Sequence, residues 1–513
     1  VLFPTLTFTL FFLTVYPICW LLRWRHWAWK LFVLLASYVF YGSWDRRFVL
    51  LIFLSSVLNY AAARALYRQG HREEGATPPR PAFQRRAGRR AGQRAVLLAA
   101  LVFNLGLLGV FKYYGFFVES LNEALRGAGF GGRLPFVEVI VPVGISFFTF
   151  QAISYVVDVY RGTLAPGRWL DFAVYLAFFP HLVAGPIVRA SEFLPQLHVP
   201  RTLLPRNATR AALLIGRGLF KKVVISSYVA TAIVDPVFGV PGQHSSPEIL
   251  LAIYGYAVQI YADFSGYTDI AIGIALLLGI RFPQNFDRPY SAVSLQDFWR
   301  RWHMTLSRWL RDYLYIPLGG SRHGTLATYR NLMLTMALGG LWHGASLTFL
   351  AWGVFHGIGL ALERLIVALS SLLRPSGVPT TPGDQGAAGT FRPAGRPGWA
   401  TGAGARWLSR LVTFNLVCVG WVLFRADSLS TAWELLARSV TAWGPAPLVT
   451  GSLVAVIGAV LASQFLPASV GARAEAAFGR LPLPLQGAAL GAFCAAVVAF
   501  GPQGVAPFIY YQF

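Results

Sequence analysis

The chain is poor in charge, in cysteine and in acid. Only 13% of its 513 residues are Asp, Glu, Lys or Arg, against about 25% in soluble globular proteins. With 55% hydrophobic residues and a mean hydropathy of +0.53, that deficit excludes an ordinary soluble domain. Cysteine occurs three times, at Cys19, Cys418 and Cys494, always inside an apolar run and without CxxC or metal-ligand spacing. A disulfide framework and a zinc site are therefore not indicated, and no metal is expected. Acidic residues number 21 against 44 basic ones, a formal net charge of +23. In a soluble protein such an excess would suggest nucleic acid. Here the arginines gather in a few loops, which points to positive-inside topology and contact with anionic membrane lipids, with no nucleic-acid partner. The apolar stretches are continuous rather than alternating, which excludes a transmembrane β-barrel.

What the chain does have is a series of apolar runs of about 18 to 25 residues, each long enough to cross a bilayer. The expectation is an all-α polytopic membrane protein, one membrane-embedded domain over residues 1–513, with about eleven transmembrane helices plus re-entrant or amphipathic helices. The first run, Leu2 to Leu22, lacks a basic leader and a small-residue cleavage site, and Arg23 and Arg25 follow it. It reads as a retained span with its N-terminus outside the cytoplasm. Leu31 to Ala63, interrupted near Gly42, reads as a helical hairpin or a pair of short helices. Residues 64–94 are basic and contain Pro78, Pro79 and Pro81, the composition of a cytoplasmic loop. Residues 374–406, rich in Pro, Gly, Ala and Thr, read as a second, flexible loop. Pro142 and Gly144 should break the segment Pro135 to Gly162, and Leu176 to Leu197 combines Pro, Gly and His181. Irregular backbone at membrane depth is tolerated only where it is buried in protein or lines a cavity.

The stretch from Phe298 to Trp352 places two histidines, His303 and His343, in aromatic and apolar settings. Its beginning, FWRRWHMTLSRWLRDY, fits one amphipathic helix with Trp302, Leu306, Trp309 and Tyr313 on one side and arginines mainly on the other. Trp299 and Ser307 lie near His303 on that helix. The second segment, LGGLWHGASLTFLAW, is apolar almost throughout, and a titratable group at such depth is a functional candidate. A hydrogen-bonded core histidine is the alternative for each, and spacing alone does not decide. His356, on the same run as His343, is a weaker candidate. Asp263, Tyr267 and Asp269 give Ile253 to Ile280 a polar character that a lipid-facing helix would not have. They suit either a hydrated substrate path or interhelical packing. Intramembrane carboxylates and histidines would also suit a proton-coupled transporter or flippase of a cell-envelope precursor, although no internal repeat supports it. Lys221, Lys222, Arg300, Arg301 and Arg308 would either contact the phosphates of a substrate or snorkel to lipid headgroups.

Several long stretches, in order, are similar to a known family: VPVGISFFTFQAISYVVDVYRG, FFPHLVAGPIVR, GLFKKVVI, YADFSGYTDIAIG, FPQNFDRPY, FWRRWHMTLSRWLRDYLYIPLGG, GGLWHGASLTFLAWG and the terminal PFIYYQF. On these the chain resembles the membrane-bound O-acyltransferases, within them the bacterial alginate O-acetyltransferase branch. Ser227 stands where an acidic residue is common in the family. The resemblance implies helices around a central funnel in a bacterial inner membrane, and acyl transfer from a thioester to a hydroxyl. It implies acetyl-coenzyme A as donor substrate, with no bound cofactor, and a glycan or a periplasmic acetyltransferase as acceptor. It carries His343 over as catalytic base and His303 as the second active-site residue. Asp263, Tyr267, Asp269, Asn285, Trp299 and Ser307 become candidate substrate-binding residues.

Overall fold

The structure, a computed structural model, describes residues 3, 5–71, 82–129, 134–135, 139–202, 204–372 and 402–500. In chain order the helices used below are α1 (Leu6–Leu21), α2 (His26–Gly42), α3 (Arg46–His71), α4 (Ala82–Leu108), α5 (Ile145–Arg161), α6 (Pro205–Leu219), α7 (Ser246–Leu277), α8 (Leu295–Arg301), α9 (Met304–Leu310), α10 (Gly324–His343), α11 (Leu347–Leu372), α12 (Ala403–Arg425) and α13 (Gly451–Ser463). The described residues contain no strand, so the all-α class holds. Six helices are long and apolar enough to cross a membrane: Arg46–Gly70, Ala91–Gly127, Pro205–Gly239, Ser246–Leu277, Leu347–Ser370 and Ala403–Arg425. Counting the bent pair Ser469–Gly479 and Pro484–Val497 as one span makes seven among the described residues. The expectation of about eleven counted shorter runs as spans. α1, α2 and α13 have 16, 17 and 13 residues, below the ~20 that a perpendicular crossing needs.

The hairpin expected near Gly42 is the turn between α2 and α3. The loop expected over 64–94 is largely helical: α3 runs on to His71 and α4 begins at Ala82, and residues 72–81 lie outside the described residues. The loop expected over 374–406 lies outside them too, up to residue 401. The break expected at Pro142 and Gly144 is present. Gly144 starts α5 in the left-handed region, at φ +75°.

The described chain forms two compact units. The first comprises residues 1–228, 259–285 and 467–513. Within it α6 and α7 approach closely enough that a Cβ on Gly218 would sit 2.5 Å from the Gly266 carbonyl oxygen. Small residues permit this approach, and the polar strip of α7 then meets cations. Lys222 donates to Asp263 with both side chains buried. Asp269 accepts from Arg217 at 2.6 and 2.9 Å and from Lys221 at 2.9 Å. Of the apolar window of α7, 89% is buried inside the protein, which is how a spanning helix accommodates two carboxylates.

The second unit comprises residues 229–258 and 286–466. Its centre is the hairpin of α10 and α11. A Cβ on Gly340 would run into the Phe349 carbonyl, and one on Gly353 into that of Met336. Glycine at both places lets the two backbones touch. α8 is held at its N-terminus three times: Ser294 accepts from the Asp297 amide at 3.1 Å, the Asp297 carboxylate accepts from the Val293 amide at 3.2 Å, and Glu363 of α11 accepts from the Gln296 amide at 3.0 Å. Such caps satisfy amide groups that the helix itself leaves open.

Candidate active site

The single amphipathic helix expected around His303 is two short helices. α8 ends at Arg301, Trp302 is extended at ψ 130°, and His303 takes left-handed angles of φ 41° and ψ 53° before α9 begins. Among the described residues only His303 and Arg288 combine a side chain with positive φ. For an L-residue this conformation costs about 1–2 kcal/mol, and such strain persists where the surroundings impose it, often at functional sites. His303 is fully buried. Burial pushes its imidazole down to about 3, so the ring is neutral at physiological pH.

His343 is the last residue of α10, where Gly344 turns extended at φ −157°. It is 3% exposed. Its ring stands 5.0 Å from Trp342, 5.1 Å from Trp352 and 5.3 Å from Phe424, each edge to face. The His303 ring lies 6.1 Å from Trp342, so the structure brings both histidines against one indole. At the C-terminus of a twenty-residue helix, the negative end of the helix dipole favours a ring that gains a proton during a reaction.

A cavity of about 570 Å³ opens beside His343, its wall built from the second unit. His343, Gly339, Met336, Thr335 and Leu332 contribute from α10. Their spacing places them on one helix face and gives that wall a length of about 16 Å. α9 and the π-helical turn that follows it (Arg311–Tyr315) contribute Met304, Ser307, Arg308, Arg311, Asp312 and Tyr315. Trp299 and Trp352 stand 5.6 Å apart on the wall. The surface is mainly apolar, yet it carries Arg300, Arg308 and Arg311 against one carboxylate, Asp312, which accepts from Arg311 at 2.6 Å. His303 is not on the wall; its neighbour Met304 is.

The arrangement can do acyl chemistry. It offers a titratable ring at the wall of a largely apolar cavity, a neutral imidazole packed against the same Trp342 indole, and guanidinium groups suited to an anionic portion of a substrate. The profile of the membrane-bound O-acyltransferase family matches residues 166–377, which include both histidines. The "probable alginate O-acetylase" of Pseudomonas aeruginosa is 37% identical over 486 residues, covering 93% of this chain and 82% of the relative. This chain belongs to the membrane-bound O-acyltransferase family. It is a multi-pass membrane O-acyltransferase of the alginate O-acetylase branch. A peptidoglycan O-acetyltransferase of Helicobacter pylori is 36% identical over 438 residues, 80% of this chain and 73% of the relative. A teichoic acid D-alanyltransferase of Streptococcus thermophilus is 28% identical over 310 residues, 57% and 69% respectively.

Within this O-acyltransferase, two of the six expected substrate-binding residues, Trp299 and Ser307, line the cavity. The other four belong to the first unit. Asp263 and Asp269 are held in the ion pairs described above, Tyr267 stacks on Phe3 at 4.6 Å, and Asn285 is fully buried. Carboxylates already neutralised by lysine and arginine are poor proton carriers, which removes the main support for the transporter alternative. Lys221 and Lys222 are committed to the same pairs, and Arg301 to Asp297 at 2.9 Å. His356 is buried between Trp299 and Trp352, 5.2 and 5.0 Å away, and is absent from the cavity wall. Sequence reasoning missed Arg311, Asp312 and the α10 face running back from His343. The i−4, i−7, i−8 and i−11 spacing before His343 was the available signal.

Proposed function

We propose that the enzyme takes an acetyl group from cytoplasmic acetyl-coenzyme A and delivers it for O-acetylation of an extracytoplasmic polysaccharide such as alginate. Delivery is direct or through a periplasmic transferase, and the enzyme sits in the bacterial inner membrane. The observation that carries this reading is His343 on the wall of an apolar cavity edged by three arginines. The relatives, an alginate O-acetylase and a peptidoglycan O-acetyltransferase, suggest the acetyl group and the polysaccharide.

In this reading the acceptor hydroxyl oxygen attacks the thioester carbonyl carbon while His343 removes its proton. The tetrahedral oxyanion collapses, the carbon–sulfur bond breaks, and the leaving thiolate takes the same proton from His343. No net proton enters or leaves, so a relay of intramembrane carboxylates is not required. His303, buried off the cavity wall with its ring 6.1 Å from Trp342, is a positioning residue in this reading: its fixed ring holds the indole that packs on His343 and so helps to orient the acceptor. Arg300, Arg308 and Arg311 face the donor's phosphates. The test is turnover of labelled acetyl-coenzyme A by the purified protein, with and without glycan or a periplasmic partner, against the same reaction with D-alanyl thioester on a carrier protein. Preference for acetyl-coenzyme A supports the reading; turnover of the D-alanyl donor alone overturns it.

A further inference from the structure

On the second unit, away from His343, a groove of about 200 Å³ runs between α12, the end of α13 and the segment before α8. Its walls are Trp407, Phe414, Leu461, Phe465 and Tyr290, with one charged group, Arg410. The Arg410 guanidinium lies 4.7 Å from the Trp407 ring centre and 5.6 Å from that of Phe465. Its Nε is buried and has no hydrogen-bond partner, and no carboxylate pairs with it among the described residues. A guanidinium does not shed its proton, so an arginine held in an aromatic slot without an anion is incomplete.

The surroundings say what completes it. α12 is one of the six helices able to cross a membrane. Leu408, Leu411 and Val412 beside the groove are 59%, 60% and 50% exposed, an outward apolar face that suits hydrocarbon. Arg410 lies about 10 Å along the helix from its start at Ala403, where a long basic side chain reaches back to the headgroup layer. A free anion would leave the apolar walls unexplained, and a neutral lipid would leave the arginine unexplained.

We propose that this groove binds one anionic phospholipid, with its phosphate on Arg410 and an acyl chain along Trp407, Leu461 and Phe465. The site also touches the catalytic element. Tyr290, on the groove wall, stands 5.3 Å from Phe414 and 6.2 Å from Trp302, the residue before His303. The bound lipid therefore supports the aromatic wall behind the strained histidine.

The experiment is native mass spectrometry and thermal unfolding of delipidated full-length protein with phosphatidylglycerol, phosphatidylcholine or inorganic phosphate added. Wild type is expected to retain phosphatidylglycerol over phosphatidylcholine by about tenfold, the loss of a charge-assisted contact being worth that much. Arg410→Gln should abolish the preference, and Arg410→Lys, which keeps charge but not the planar fork, should retain part of it. Leu461→Trp, which fills the groove, should lower retention with Arg410 intact. An unchanged preference in Arg410→Gln, or unchanged phosphatidylglycerol retention in Leu461→Trp, overturns the proposal. So does stabilisation of wild type by inorganic phosphate equal to that by phosphatidylglycerol, which would mark a bare anion site. If Arg410→Gln does not fold, Arg410→Lys and Leu461→Trp carry the test alone.

Discussion

Replacing His303 by glycine and by alanine separates what its ring does from what its backbone endures. Both substitutions remove the imidazole, so both lose the same packing and the same chemistry. They differ at φ 41°. Glycine occupies the left-handed region freely, whereas alanine keeps a Cβ that opposes it. At ordinary positions alanine is the more stable of the two; here the order should invert, with glycine ahead by about 1 kcal/mol. For a cooperative unit of about two hundred residues this corresponds to roughly 2–4 °C in Tm. Thermal unfolding in detergent gives the first readout and labelled acetyl transfer the second. Activity should fall about a hundredfold or more in both variants. A His303→Gly protein no more stable than His303→Ala would refute the strained backbone. Near-wild-type turnover in His303→Gly would refute any role for the ring.

Three further predictions follow from the same structure. Gly339→Leu puts a side chain on the cavity wall one turn before His343, where even a Cβ would meet Leu310 at 3.2 Å; acetyl transfer should drop sharply while the protein still folds, and unchanged kinetics would show that the cavity is not the reaction site. Lys222→Met should destabilise by about 3–5 kcal/mol by removing the cation that neutralises the buried Asp263 carboxylate, and the double variant with Asp263→Leu should recover most of the loss, read as Tm by a double-mutant cycle. Burial holds both His303 and His181 at about 3, below the unfolded value of about 6.5. Stability from each is therefore fully present above pH 6.5 and is lost as the pH falls toward 3, because the unfolded chain takes up the protons first. Tm should fall less steeply over that range in His303→Gly than in wild type, and parallel slopes would contradict the buried neutral ring.

Much of this architecture is legible in the amino-acid sequence. Long apolar runs announced the six long helices, and the Trp-flanked histidines of two segments turn out to pack on one indole, with His343 on a cavity wall. The helix break at His303 was hidden because Trp302, Leu306, Trp309 and Tyr313 keep a helical spacing across it, and no glycine marks the left-handed residue. The polar strip of α7 was visible, but its purpose was not. The cations that neutralise Asp263 and Asp269 come from a different helix, 41 to 52 residues earlier, and pairing at that distance is a property of packing. Composition reports hydrophobicity but not where a helix begins and ends, so the 16 and 13 residues of α1 and α13 were not legible.

The central claim is that His343 is the base for acyl transfer at this cavity. The direct measurement is single-turnover transfer of labelled acetyl by wild type and by His343→Ala and His343→Gln, each shown to be folded by its Tm. Loss of about a hundredfold to ten-thousandfold in rate with donor binding retained is the predicted result. Transfer within a few-fold of wild type in either folded variant would contradict the account.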